Sequence, residues 1–189
     1  IIAIDFGTSY SGYCFSLASG KDQILQVYWG TEHGFKNPKV PMGILFNQKQ
    51  EFKYFGYDPV MKYKSLPSSQ ADSRYFFQNF KMQLYNMNII AGMELKATNG
   101  NLLPALTVFS KSLCYLKEHA LNTLKEVSLQ TAYDQEITWV ITVPAIWSAA
   151  AKQLVCLVAK EAGIISDMIS RNLIIALEPE AASLWCKQL

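Results

Sequence analysis

The sequence predicts an α/β protein: a mixed sheet with flanking helices, plus a smaller inserted α+β subdomain. Three observations predict it. An apolar run, "IIAID", turns through "FGTS" and returns as "SGYCFSL". From Leu106 to Val127, apolar residues recur at spacings of three and four. After that, the buried runs "ITWVITV" and "NLIIAL" alternate with helical segments. A few-residue turn between two strands gives an antiparallel hairpin, whereas strand–helix–strand with apolar strands gives a covered parallel portion.

The elements follow in order. "IIAID" reads as a buried strand and "SGYCFSL" as its partner, and Gly20 to Asp22 is expected to turn into a third strand, "QILQVYW". Residues 39–103 change character, with Lys, Asn, Gln and aromatics, short strands at "GILFN" and "EFKYFG", and a turn at "NGN". Frequent breakers mark this stretch as an inserted subdomain, leaving 1–38 and 104–189 as the core. Leu106, Phe109, Leu113, Leu116, Ala120, Leu124 and Val127 line one side of a long helix with Pro104 near its start. After "ITWVITV", Ser148 is expected to cap a helix carrying Leu154, Val155, Val158 and Ala162, which Gly163 ends. "NLIIAL" is the next strand, and Glu178 with Pro179 opens a final helix.

Composition narrows the function. The 189 residues are 50% apolar and 17% charged, which is globular, and a net charge of +2 is too small to argue for nucleic acid or an anionic membrane, so neither is expected as partner. No apolar run reaches the roughly 20 residues that span a bilayer. The four cysteines lack CxxC spacing and the two histidines, His33 and His119, are far apart, so neither a zinc site nor a disulfide framework is expected. That usage suits a reducing, cytoplasmic setting. The chain starts inside a strand and stops inside a helix, so it is expected to be a fragment of a longer protein.

Three stretches could carry chemistry. In Asp5-Phe6-Gly7-Thr8-Ser9-Tyr10, a turn of small hydroxyl residues and glycine offers N–H and O–H donors to a phosphate. The carboxylate at the strand end suits a hydrated divalent cation. An ordinary polar turn, with Asp5 bonded locally, is the competing reading. In "WVITVPAIW", Pro144 stops a strand whose end is a usual ligand position, or is simply a terminator, and Lys152 lies on the helix beyond. In "LIIALEPEAASLW", Glu178 either complements a helix dipole or forms a second carboxylate at the same sheet edge as Asp5. Ala181 and Ala182 suggest close helix packing. GxxxxGK[ST], GxGxxG and G-x-S-x-G patterns are absent.

In this order the three stretches resemble the first lobe of the actin-like (ribonuclease H-like) ATPase fold. "IDFGTSYSG" resembles the phosphate motif of the seventy-kilodalton heat-shock proteins, "WVITVPAIWSAAAKQ" their proline-turn segment, and "LIIALEPEAAS" their connecting motif. The wording of "FGY", "FKMQLY", "VPAIW" and "ALEPEAAS" is most similar to the divergent heat-shock protein twelve branch. The resemblance implies an ATP/ADP site with Mg2+. Asp5 would lie near the metal through water, Gly7, Thr8, Ser9 and Tyr10 would line the phosphates, and Glu178 would sit near the metal-bound water. Pro144 and Lys152 would couple nucleotide state to lobe movement, and Pro179 would fix the turn. It further implies a stress-response chaperone whose clients and co-chaperones bind through other domains, with nucleotide closed between this lobe and a second one.

Two positions depart from the family pattern. Val60 stands where a lysine is expected after Gly56, with Lys62 two residues on, and Glu180 stands where a threonine is expected. Both favour a pseudo-ATPase as the alternative to an ATP hydrolase. A small-molecule kinase of the same fold and an actin-like filament protein are further readings.

Overall fold

Ile2 and Ile4 are buried on one side of β1 (Ile2–Asp5), while Ala3 and Asp5 point to the other. β1 turns back into β2 (Tyr10–Ser16), with Asp5 opposite Gly12 in the register. The computed structural model describes residues 1–17, 24–84, 92–127, 137–168 and 170–187. The turn expected over Gly20 to Asp22 lies outside them.

The third strand is shorter than "QILQVYW" suggests. β3 covers Ile24–Gln26, and Trp29 holds a single bridge to Asn37. Trp29 instead turns inward, buried and stacked on His119 with ring centroids 4.1 Å apart. Its burial outweighs continued pairing at a sheet edge. The other end of the same β2 edge is taken by β4 (Val40–Pro41), which pairs antiparallel at Tyr10 and Ser11.

Residues 43–104 form two small sheets of their own. β5 (Gly43–Phe46) lies between β6 (Phe52–Phe55) and, across the helices α1 (Tyr57–Lys64) and α2 (Ser68–Ala71), β7 (Tyr75–Gln78). A 3-10 helix follows at Phe80–Leu84, then the hairpin of β8 (Glu94–Lys96) and β9 (Leu102–Pro104), with its turn at the expected Asn99-Gly100-Asn101. Gly100 has φ 94°, which glycine adopts without strain.

Pro104 is the last residue of β9, paired with Glu94, so it precedes the long helix rather than opening its first turn. That helix, α3, covers Ala105–Val127 and buries Val108, Phe109, Leu113, Leu116, Ala120 and Leu124 along one stripe. Leu106 and Val127, at its two ends, are exposed. Each buried Leu or Phe contributes about 1.5–3 kcal/mol.

The remaining elements complete the parallel portion. β10 (Trp139–Val143) lies beside β1, and beyond α4 (Ala149–Glu161) β11 (Leu173–Leu177) lies beside β10, both pairs parallel. α5 (Glu178–Cys186) follows without a break. The main sheet therefore runs β11-β10-β1-β2-β3. Ser148 accepts a hydrogen bond from the Ala151 N–H, the expected cap, and Gly163, at φ 69°, follows the last turn of α4. One apolar cluster joins Ile2, Ile4 and Ile141 of the sheet to α3, α4 and Phe77 and Phe80 of the inserted segment. This is a mixed α/β protein with a mixed sheet and flanking helices, with its core on the face away from Asp5.

Candidate functional site: a pocket at the strand ends

β1, β10 and β11 run parallel, so their carboxyl ends meet at one edge. The register sets Val143 opposite Leu177, and Ile4 opposite Ile141, which brings Asp5 beside Thr142. Thr142 donates its hydroxyl to Asp5 Oδ1 at 3.1 Å. Glu178 comes directly after Leu177. This edge opens into a pocket of about 750 Å³, which Asp5, Gly7, Thr8, Tyr10, Lys39, Thr142 and Glu178 help to line. Carboxyl ends of parallel strands are where open α/β sheets take ligands.

The hairpin turn is built for close approach. A Cβ on Gly7 would lie 2.1 Å from the Tyr10 carbonyl oxygen, so no side chain fits there. The Gly7 N–H donates to Ser11 Oγ at 3.1 Å, and that hydroxyl, fully buried, donates to Met42 Sδ. Thr8 reaches the pocket, and Tyr10 is half exposed at its rim. Ser9 is exposed, and its carbonyl accepts from the Met42 N–H at 2.8 Å, tying the turn to β4. Ala181 and Ala182 line the pocket, so these small residues leave room for a ligand. Cys14 also lines it; burial, with Asp5 nearby, pushes its thiol pKa up, which keeps it protonated.

Two lysines that the sequence did not single out meet the two carboxylates. Lys39 Nζ lies 2.5 Å from Asp5 Oδ2. Lys81, on the 3-10 helix, is wholly buried; it donates to the Phe6 carbonyl and to Glu178 Oε1 at 3.1 Å, and its ammonium lies 4.9 Å from the Trp147 ring centroid. Burial pulls the Lys81 pKa down, while Glu178 and Asp5 oppose that shift. The segment reaches this place because Phe80 and Phe6 both pack on Phe109. The signal in the sequence is slight: Lys81 is the one charged residue in an otherwise apolar and amide run, "FQNFKMQL".

The other candidate residues sit around this centre. Val60 is on α1, where its Cγ2 would lie 3.5 Å from a Cβ on Gly43. Lys62 is exposed, with its ammonium 4.4 Å from the Tyr54 ring centroid. Pro144 is buried directly after β10 and its carbonyl accepts from the Trp147 N–H. Lys152 lies half-buried in the first turns of α4, and Pro179 is the second residue of α5. Among the described residues no group of three His, Cys, Asp or Glu side chains could hold a metal ion directly. Asp5 and Glu178 offer anionic oxygens of the kind that hold a hydrated ion through water, and each is already paired with an ammonium, which competes with such an ion for the carboxylate.

The fold and this edge define an α/β protein with paired carboxylates at the strand ends beside a glycine-and-hydroxyl hairpin. Comparison with curated proteins then places it beside the divergent heat-shock protein twelve branch of the seventy-kilodalton heat-shock proteins. Human heat shock 70 kDa protein 12B is 38% identical over 192 aligned positions, mouse heat shock 70 kDa protein 12A 38% and human heat shock 70 kDa protein 12A 37%. Each alignment covers the whole of this chain and 28% of the relative. No family model matches the chain. The motif resemblance thus extends along the whole chain, including the middle segment that carries Lys39 and Lys81.

Proposed function

We propose that the chain is the ATP-binding lobe of a heat-shock-type ATPase with the actin-like fold. The observation that carries this is the convergence of Asp5, Glu178 and the Gly7–Thr8 turn on one pocket at the strand ends. In this reading the turn takes the nucleotide phosphates, with Gly7, Thr8, Ser9 and Tyr10 around them, and a second lobe closes over the nucleotide. Mg2+, when bound, would lower the charge of the phosphates; Asp5 would hold its waters, and Glu178 would orient water toward the phosphates. Pro144 and Lys152, just beyond β10, would pass lobe movement to other parts of a chaperone, and Pro179 would hold the start of α5. The segments of residues 1–38 and 104–189 form the core subdomain, and 39–103 the insertion. Among the described residues no helix is long and apolar enough to cross a membrane; a cytoplasmic chaperone role, with clients and co-chaperones bound elsewhere, belongs to this same reading.

A pseudo-ATPase is the second reading, favoured by the placement of Val60 on α1 against Gly43 and of Lys62 over Tyr54, where neither lines the pocket. A small-molecule kinase remains a third reading, tested with a sugar panel. The deciding experiment is ATP binding and turnover by the full-length protein. Turnover that Asp5→Asn abolishes supports the ATPase; binding without turnover supports the pseudo-ATPase; absence of binding overturns both.

A further inference from the structure

Residue 12 is glycine for a reason that leads to Lys39. Gly12 is the strand partner of Asp5, and a Cβ there would lie 2.8 Å from the Pro38 carbonyl oxygen and 3.3 Å from Lys39 Cγ. The segment before β4 therefore crosses directly over the hairpin at the position opposite Asp5. Its backbone is held on both sides of that crossing: Asn37 bridges to Trp29 before it, and Val40 pairs with Ser11 after it. Val40 is buried, which anchors the crossing in the core.

The lysine so placed lies in the wall of the pocket, with its ammonium on Asp5 Oδ2. The other carboxylate oxygen accepts from Thr142. Asp5 is therefore compensated by the chain itself, through one ammonium and one hydroxyl. The Lys39 side chain is 50% exposed, so its head group keeps water access on the pocket side and can turn without unpacking anything. An ammonium has three donors and can serve a carboxylate and a phosphate oxygen together.

We propose that Lys39 is a built-in counter-cation for the phosphates of a nucleotide in this pocket, so that binding of a nucleoside diphosphate does not depend on a divalent ion. The inference rests on the nucleotide reading above and deepens it. A monovalent ammonium fixed beside Asp5 supplies part of the charge that a hydrated ion otherwise brings. It also competes with that ion for the carboxylate, so the same residue raises metal-free affinity and lowers the advantage of adding metal.

The test is calorimetric titration of the full-length protein with ADP, once in chelator and once in excess magnesium, for the wild type, Lys39→Met and Lys39→Arg. Lys39 is half exposed, and methionine keeps the length of its apolar stem, so folding is expected to be retained, which the unfolding midpoint of the variant checks. In the wild type the two ADP affinities are expected to agree within about tenfold. Lys39→Met is expected to lose about tenfold or more in chelator and much less in magnesium, and Lys39→Arg to keep most of the metal-free affinity. Wild-type binding that requires magnesium, or equal metal-free affinity in wild type and Lys39→Met, overturns the proposal. Loss in Lys39→Met that is the same with and without magnesium also overturns it, since that pattern marks general charge attraction. No ADP binding by the wild type under either condition is a different result: it removes the nucleotide reading itself, and the proposal with it.

Discussion

The Lys81 ammonium and the Glu178 carboxylate, 97 residues apart in sequence, meet at 3.1 Å beneath the β1–β2 turn. The two ends of this pair are unequal. Lys81 is wholly buried, whereas the Glu178 side chain is 39% exposed at the pocket.

That inequality fixes the order of mutational effects. Glu178→Ala leaves a buried ammonium with a carbonyl and aromatic rings around it but no carboxylate bonded to it, and removing one partner of a buried pair costs about 3–5 kcal/mol. Lys81→Met leaves a carboxylate that water can reach, together with an unpaired Phe6 carbonyl worth about 1–3 kcal/mol. Urea unfolding should therefore show Glu178→Ala as the more destabilising change, and adding Lys81→Met to it should recover stability. A double variant weaker than Glu178→Ala alone would show that the pair does not behave as a buried charge and its counter-ion.

Gly7 is fixed by space rather than by a left-handed backbone. With the Tyr10 carbonyl oxygen 2.1 Å from where a Cβ would stand, Gly7→Ala must open the turn. The loss is expected at about 1–3 kcal/mol, as for other overpacked sites. It should appear as a lower Tm together with weakened ligand binding, because the Gly7 N–H bond to Ser11 Oγ shifts with the turn. An unchanged Tm would mean that the hairpin backbone adapts.

Asp5 and Glu178 were legible in the sequence because each is a charge at the end of an apolar run, and a strand end beside a turn is a local pattern. Their meeting at one edge followed from the parallel order of β1, β10 and β11, which strand–helix alternation implies. Lys39 and Lys81 were not legible. Their partners lie 34 and 97 positions away, and what brings them there is a crossing permitted by Gly12 and a 3-10 helix anchored by Phe80 on Phe109. The apolar and amide run around Lys81 is a slight local signal, and nothing local marks Lys39. The same limit explains α1, α2 and β7 in the insertion, short elements whose stability comes from packing rather than periodicity.

Ser148 caps α4, the helix that follows the Pro144 turn. Its Oγ accepts the Ala151 N–H at 3.2 Å, and the neighbouring Trp147 is buried in the core. Ser148→Ala should cost about 1 kcal/mol, and Ser148→Asp should keep most of the stability, since either oxygen can cap. Thermal unfolding of the two variants checks this; equal losses would show that the cap contributes nothing beyond side-chain size.

His119 should give the protein an acid-side stability loss. Its ring is stacked on the buried Trp29, and its Nδ1 lies 2.7 Å from the Tyr13 hydroxyl. Tyr13 in turn lies 2.8 Å from Thr123 Oγ1, which donates to the His119 carbonyl. Counting donors gives one consistent chain, His119 Nδ1–H to Tyr13, Tyr13 O–H to Thr123 and Thr123 O–H to the His119 carbonyl, which puts a proton on Nδ1 and leaves Nε2 as the nitrogen that titrates. Burial pushes the Tyr13 pKa up to about 12, so the phenol keeps its proton throughout. Burial also holds the His119 pKa below its ordinary 6.5, with Glu126 and Glu32 pulling weakly the other way. The folded protein therefore binds fewer protons than the unfolded chain between the lowered value and 6.5. Stability is complete above 6.5 and falls as pH drops through that window, by at most about 1.4 kcal/mol per pH unit for one proton. Urea midpoints measured at about pH 7.5 and 5.5 should thus fall further for the wild type than for His119→Gln, which cannot titrate. Parallel slopes for the two proteins would place the acid sensitivity elsewhere.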